Sequence, residues 1–247
     1  MNPLKCLTLT GIALGLIANG ALAADLTEPV TPLEDWGGFY AGVHAGWGWG
    51  DADSDAMNPE EFGGTPIENG FQNDIDGPIA GAQAGFNWQI NQFVLGIEAD
   101  ASWSGIDGGL RIVDEPPSSF YVTTRTDVEW LASIRGRAGF VQDPVMLYAT
   151  GGIAFAGIEV DGESNYAGGP TAISDSEAER LTGWVLGGGV EAKLAKNVTG
   201  RIEFLHYEFG DGDSTLNFDP QDPESYFLDV ESELNVNVIR AGLNIQF

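Results

Sequence analysis

The stretch FVLGIEADASW, Phe93 to Trp103, alternates apolar and polar residues without a break. Phe93, Leu95, Ile97, Ala99, Ala101 and Trp103 share one face, and Gly96, Glu98, Asp100 and Ser102 share the other. Period two over such a length predicts a strand with one apolar face. What that face meets is decided by two further features. Charges stand at mid-strand on the polar face, and an aromatic ring closes each end of the apolar face. A strand crossing a bilayer needs about 9–11 residues, and aromatic girdles mark the two membrane interfaces. A soluble core has no reason to place rings at both ends of a span.

Seven further segments repeat the pattern. Between Trp36 and Gly50, Phe39, Ala41, Val43, Ala45, Trp47 and Trp49 oppose Tyr40, Gly42, His44 and Gly46. Between Ile79 and Ile90, Ala80, Ala82, Ala84, Phe86 and Trp88 oppose Gly81, Gln83, Gly85 and Asn87. Val128, Trp130, Ala132, Ile134, Ala138 and Phe140 are expected to oppose Glu129, Ser133, Arg135 and Arg137. Leu147, Ala149, Ile153 and Phe155 oppose Tyr148, Thr150 and Gly152. Trp184, Leu186, Val190, Ala192 and Leu194 oppose Gly187, Gly189, Glu191 and Lys193. Val198, Ile202 and Phe204 oppose Arg201, Glu203 and Tyr207. Ile239, Ala241, Leu243, Ile245 and Phe247 oppose Arg240, Gly242, Asn244 and Gln246. The ring-to-ring spacing of Phe93 and Trp103 recurs in Phe39 with Trp49 and in Trp130 with Phe140. With Trp88, Trp184 and Phe247 these form the expected girdle. Trp47, Trp49, Trp103, Trp130 and Trp184 could instead make a sugar-binding patch, but their phase assigns them to the girdle.

The connections alternate in length. Asn91-Gln92, Gln142-Asp143-Pro144 and Ala195-Lys196-Asn197 read as tight turns, whereas residues 51–77, 104–127, 159–180 and 210–229 read as long loops. Short periplasmic turns and long outer loops are the habit of outer-membrane barrels. An open sheet edge in lipid would leave unpaired backbone groups, each costing several kcal/mol, so the sheet must close. The expected fold is all-β: a closed, antiparallel, eight-stranded transmembrane β-barrel with short periplasmic turns and four long outer loops.

Residues 1–23 read as a secretory signal: Lys5, an apolar run from Leu7 to Ala18, then Ala21-Leu22-Ala23 at the cleavage site. The run is too short for a membrane helix, which needs roughly 20 apolar residues. Cys6 is the single cysteine and would leave with the signal, so no disulfide is expected. Residues 24–35, with Pro29 and Pro32, read as a periplasmic leader, and 36–247 as the barrel. With Phe247 last, no appended peptidoglycan-binding domain is expected. The formal net charge of −27 excludes a nucleic-acid partner, because phosphate binding needs clustered Lys and Arg.

The inward face collects Arg135, Arg137, Lys193, Arg201 and Arg240 with Glu98, Asp100, Glu129, Glu191 and Glu203. An eight-stranded barrel is just wide enough for side chains to fill, so these predict a neutral polar plug. Only His44 and His206 could serve as imidazole bases; His44 points inward and His206 outward by phase, and no His–Ser pairing is evident. A nucleophile needs a positioned base, so no enzyme activity, catalytic residue, metal or cofactor is expected. Asp211 and Asp213 in Gly210-Asp211-Gly212-Asp213-Ser214 have a spacing suited to Ca²⁺, but two carboxylates fall short of a full ligand set.

Several motifs resemble those of the alphaproteobacterial outer-membrane immunogenic (porin-like) family of small OmpA-type barrels. Trp36-Gly37-Gly38-Phe39-Tyr40-Ala41-Gly42 resembles the family's opening strand, and Tyr148-Ala149-Thr150-Gly151-Gly152 its fifth. Glu203-Phe204-Leu205-His206-Tyr207 resembles its seventh, with His206 where an aromatic is more usual. Leu243, Ile245 and Phe247 look like the signal read by the outer-membrane assembly machinery. The resemblance implies an exported protein of the cell outer membrane. Its partners would be membrane lipid, lipopolysaccharide and the assembly machinery, with divalent cations bridging loop acids. The expected role is envelope integrity with display of acidic loops. A narrow small-solute porin and a surface adhesin are the alternatives.

Overall fold

The computed structural model describes residues 35–57, 71–113, 121–165, 173–217 and 227–247. The expected signal, the leader apart from Asp35, and the stretches 58–70, 114–120, 166–172 and 218–226 lie outside them. Eight strands follow one another: β1 (Gly38–Met57), β2 (Phe71–Ile90), β3 (Phe93–Val113), β4 (Tyr121–Gln142), β5 (Val145–Asn165), β6 (Ile173–Ala195), β7 (Val198–Asn217) and β8 (Phe227–Gln246). Each pairs antiparallel with its neighbour in sequence, and β1 pairs with β8 to close the barrel. Closure extends to the last residue, whose N–H donates to the Phe39 carbonyl at 2.9 Å.

The stagger follows from the register. Partners run from Ala41 through Ala84, Ala99, Ile134, Ile153, Trp184, Glu208 and Asn235, and return to β1 at Asp51, ten residues beyond the start. That shear on eight strands sets a tilt of roughly 40°, or about 2.5 Å of height per residue. Strands of 20–23 residues therefore rise about 50 Å, twice the ~25 Å apolar band of a membrane barrel.

The excess height corrects the loop assignment. Much of what reads as long loop is strand, up to Met57 on β1 and from Phe71 on β2, with equivalent extensions on the other three hairpins. The reason is an inversion of polarity along each strand. Near the turns the outward face is apolar and the inward face polar. Farther up, Asp74, Asp76, Asp107 and Glu208 face out, while Ile75, Ile106, Val128, Ile158, Leu181, Phe209 and Leu234 are buried inside. A strand leaving lipid for water must hide its apolar side, as a soluble barrel does. The outward acids and glycines there mimic loop composition. The segment 210–214 lies within β7; its acids fall outside the described side chains.

The interior also differs from a uniformly polar plug. Its loop-side half is an apolar cluster that includes Ile79, Leu131, Val185, Leu205, Tyr207, Val236 and Val238.

Candidate functional site: the barrel interior

Three layers fill the barrel. At the turn end, Trp36 is 2% exposed and packs with Val94, Val141, Met146 and Tyr148. Its N–H donates to Gln89 Oε1 at 2.6 Å, Asn87 donates to its carbonyl at 3.2 Å, and its indole N–H reaches Asp143 at 3.4 Å. Lys193 lies over the ring at 5.2 Å and donates to the Asp35 carbonyl at 2.6 Å and to Gln246 at 3.2 Å. The expected network member Lys193 thus serves the turn-end mouth.

The middle layer holds Arg135, Arg137, Arg201 and Arg240 with Glu98, Asp100, Glu191 and Glu203, each at most 7% exposed. Arg135 donates to Glu98 and lies 3.0 Å from Asp100 and 3.3 Å from Glu203. Arg240 bridges Asp100 at 2.9 Å and Glu203 at 2.7 Å. Arg201 reaches Glu98 at 2.5 Å, and Arg137 reaches Glu191 at 2.6 Å. Four guanidinium groups thus meet four carboxylates, and the layer is neutral. Neutrality matters because an unpaired ion here would carry a desolvation cost of several kcal/mol.

Glu129, expected among the inward carboxylates, faces outward and is exposed. Val128 pairs with Ile158 while Trp130 pairs with Gly157, so Glu129 is an extra residue on β4. The bulge moves Val128 inward, against its expected phase, and leaves Glu129 and Trp130 both outside. Removing Glu129 and Lys193 from the expected set takes one charge of each sign, which is why the balance survives.

Polar side chains outside the expected charged set complete the layer. Tyr40 donates to Glu98 at 2.7 Å and accepts from Arg137 at 3.1 Å. Tyr148 donates to Glu203 at 3.1 Å, and Ser133 to Asp100 at 2.5 Å. Thr199 and Asn244 both donate to Glu191, at 2.5 and 2.9 Å. Two of the long reaches pass over glycine. Tyr40, Gly85 and Glu98 stand in register on β1, β2 and β3, and a Cβ on Gly85 would run into the tyrosine ring. His44, Gly81 and Ser102 repeat the arrangement, with the Gly81 Cβ position 2.8 Å from His44 Nε2.

That second row corrects the expectation that no His–Ser pair exists. His44 Nε2 is 2.7 Å from Ser102 Oγ, and Nδ1 is 2.6 Å from Gln83 Oε1. Gln83 spends its amide N–H on Asn244 Oδ1 at 2.7 Å, so its oxygen accepts from His44 Nδ1–H. Nε2 then accepts from the serine, the tautomer a general base requires. Two features withhold the chemistry. Arg240 Nη1 stands 3.3 Å from Nε2, where it would oppose an imidazolium. Both residues are 4% exposed and enclosed between the apolar layers. A fluorophosphonate probe applied to the folded barrel is expected to leave Ser102 unlabelled, as read by peptide mass spectrometry; adduct at Ser102 would overturn this view.

His206 faces outward, apart from His44, with Nδ1 2.9 Å from Asn237. Aromatic residues occupy the outer face at two levels. Near the turns, Phe39 meets Phe86 at 4.6 Å, Phe86 meets Trp88 at 4.6 Å, and Phe93 meets Phe140 at 5.6 Å, with Phe247 exposed beside them. Higher up, Trp103 stands in register with Trp130, Trp49 lies 6.2 Å from Phe204, and Trp184 packs on His206 at 5.6 Å. Ile97, Ile134, Ile153, Leu186, Ile202 and Ile239 are exposed between the levels, and Leu243 and Ile245 nearer the turns.

This architecture agrees with what the chain is similar to. Residues 11–247 match the family model described as outer membrane protein beta-barrel domain. The 31 kDa outer-membrane immunogenic protein of Brucella melitensis is 29% identical over 99% of this chain and 100% of its own length. The 25 kDa outer-membrane immunogenic protein of Brucella abortus is 28% identical over the whole of both chains. The 22 kDa outer membrane protein of Rhizobium leguminosarum is 29% identical over 76% of this chain and 72% of its own. Among solved structures, the outer membrane protein OprG of Pseudomonas aeruginosa shares the fold, with a TM-score of 0.51 at 10% identity over 85% of this chain and 97% of that one. The chain belongs to the outer membrane protein β-barrel domain family, among the small alphaproteobacterial barrels of the cell outer membrane.

Proposed function

We propose that the protein is a closed, non-enzymatic barrel that supports envelope integrity and carries an acidic collar beyond the lipid. The observation behind this reading is the succession of three sealing layers inside one narrow barrel: the Trp36 cap, the neutral ionic layer, and the apolar cluster of Ile79, Leu131, Leu205 and Val238. An ion crossing the interior would have to break buried ion pairs and then pass a segment lined mainly by apolar side chains. Gated conduction through the ionic layer alone would still meet the apolar one.

In this reading Phe39, Trp88, Phe93, Phe140 and Phe247 form the periplasmic girdle, and Trp49, Trp103, Trp130 and Trp184 the outer one. Leu243, Ile245 and Phe247 serve as the assembly signal, supported by their place at the end of the closing strand. The acidic outer extension keeps lipopolysaccharide phosphates away unless divalent cations intervene. The relatives' name of immunogenic proteins fits a strand extension held above the membrane.

Recording from planar bilayers tests the closed state. The refolded barrel, with insertion verified by heat-modifiable gel migration, is expected to give no discrete conductance steps. Stable, reproducible steps from the wild-type protein would favour the porin reading instead.

A further inference from the structure

The outward face of β6, β7, β8 and β1 carries a polar patch at the height of the upper aromatic level. Register places Trp184, Glu208 and Asn235 in one row, and Leu186, His206, Asn237 and Trp49 in the row below. All of these face away from the interior. The next row toward the turns is apolar, with Phe204, Ile239 and Trp47. The boundary between hydrocarbon and headgroups therefore runs just beneath His206 and Asn237 on this side.

We propose that this patch seats the uncharged sugar headgroup of an outer-leaflet glycolipid. The inference rests on the reading of the outer face as lipid-facing and adds a specific occupant to it.

Donor and acceptor chemistry selects the occupant. His206 Nδ1–H donates to Asn237 Oδ1 at 2.9 Å, which leaves His206 Nε2 for another partner and the Asn237 amide nitrogen as a donor. The Glu208 carboxylate lies 4.0 Å from His206 Nε2 and adds acceptors. A sugar hydroxyl both donates and accepts, so it can satisfy this mixture. A phosphate only accepts, and it would meet Glu208 at close range. Trp184, packed on His206 at 5.6 Å, and Trp49, in register with Asn237, flank the polar atoms. Indole rings favour the headgroup level of a bilayer and offer apolar faces to the C–H groups of a pyranose. The patch is continuous with the lipid belt below it, so a glycolipid can bury its chains on Phe204 and Ile239 while its sugar rests above.

The test uses the full-length barrel in vesicles of phosphatidylcholine alone, with added galactosyl diacylglycerol, or with added phosphatidylglycerol. The readout is the midpoint of heat-modifiable migration. Galactolipid is expected to raise the wild-type midpoint by roughly a few degrees, and phosphatidylglycerol to leave it unmoved. His206→Phe/Asn237→Leu is expected to insert normally and lose the galactolipid rise. If the double variant does not fold, His206→Phe alone, which supplies the family's more usual aromatic, carries the test with at least half the rise lost. An equal rise in variant and wild type overturns the proposal, as does a rise with phosphatidylglycerol and none with galactolipid. Failure of the wild type to insert into phosphatidylcholine would instead overturn the lipid-facing reading itself.

Discussion

Arg135→Ala is expected to destabilise the folded barrel by about 3–5 kcal/mol, the cost of breaking a buried ion pair from one side. The Arg135 side chain is fully buried and serves Glu98, Asp100 and Glu203. Its loss leaves four carboxylates facing three arginines in a layer packed between two apolar clusters. Arg240 and Arg201 already hold partners at 2.5–2.9 Å and cannot take up the surplus without abandoning them. Arg125 supplies the control on the same strand. It too pairs with two acids, Asp107 and Asp127, each at 3.0 Å, but its side chain is 55% exposed. Water screens such pairs, so Arg125→Ala should cost about 0–1 kcal/mol. Urea unfolding in lipid vesicles, followed by gel migration and tryptophan emission, measures both. Equal losses would mean that water reaches the middle layer, and the three-layer closure would fail.

The difference between Arg135 and Arg125 also shows which parts of the fold were legible in the sequence. Where one strand face meets lipid, the residues must be apolar over the whole span, and Phe93 to Trp103 or Ile239 to Phe247 display that demand directly. Tight turns and strand number follow from the same pattern. The upper half of the barrel was hidden because its polarity is reversed: a strand with acids outside and single apolar residues inside resembles a solvated loop. The Glu129 bulge was hidden for a different reason. An inserted residue shifts phase by one, and only the partner strands, through Ile158 and Gly157, reveal where the shift occurs. The His44–Ser102 contact was invisible because the two residues sit on strands that do not pair. They meet only over Gly81, so the informative signal was the glycine between them in register, which requires knowing the register first. The charges of the middle layer were visible one by one, but their partners were not: long arginine side chains cross the barrel to residues far away in sequence, as Arg240 does to Asp100.

The second large effect concerns the outer face. Ile97→Arg is expected to cost roughly 2–4 kcal/mol, and Ile90→Arg about 0–1 kcal/mol, because the penalty for a cation on the lipid face depends on its depth. Ile97 is exposed on β3, four residues above Phe93 and six below Trp103, and it stands beside Phe86 on β2 and Gly136 on β4. An arginine there has to reach past a ring level in either direction before it finds water. Ile90 is as exposed as Ile97 but ends β2 at the Asn91–Gln92 turn, below the rings, where a guanidinium can reach the headgroups. The two substitutions remove the same side chain and add the same charge, so their difference isolates depth. Unfolding free energies in vesicles of fixed composition, with the folded fraction in the envelope as a second reading, would measure it. If both variants lost the same stability, the exposed apolar belt could not be lying against hydrocarbon. If Ile90→Arg were the worse of the two, the membrane would have to sit lower on the barrel than its two aromatic levels place it.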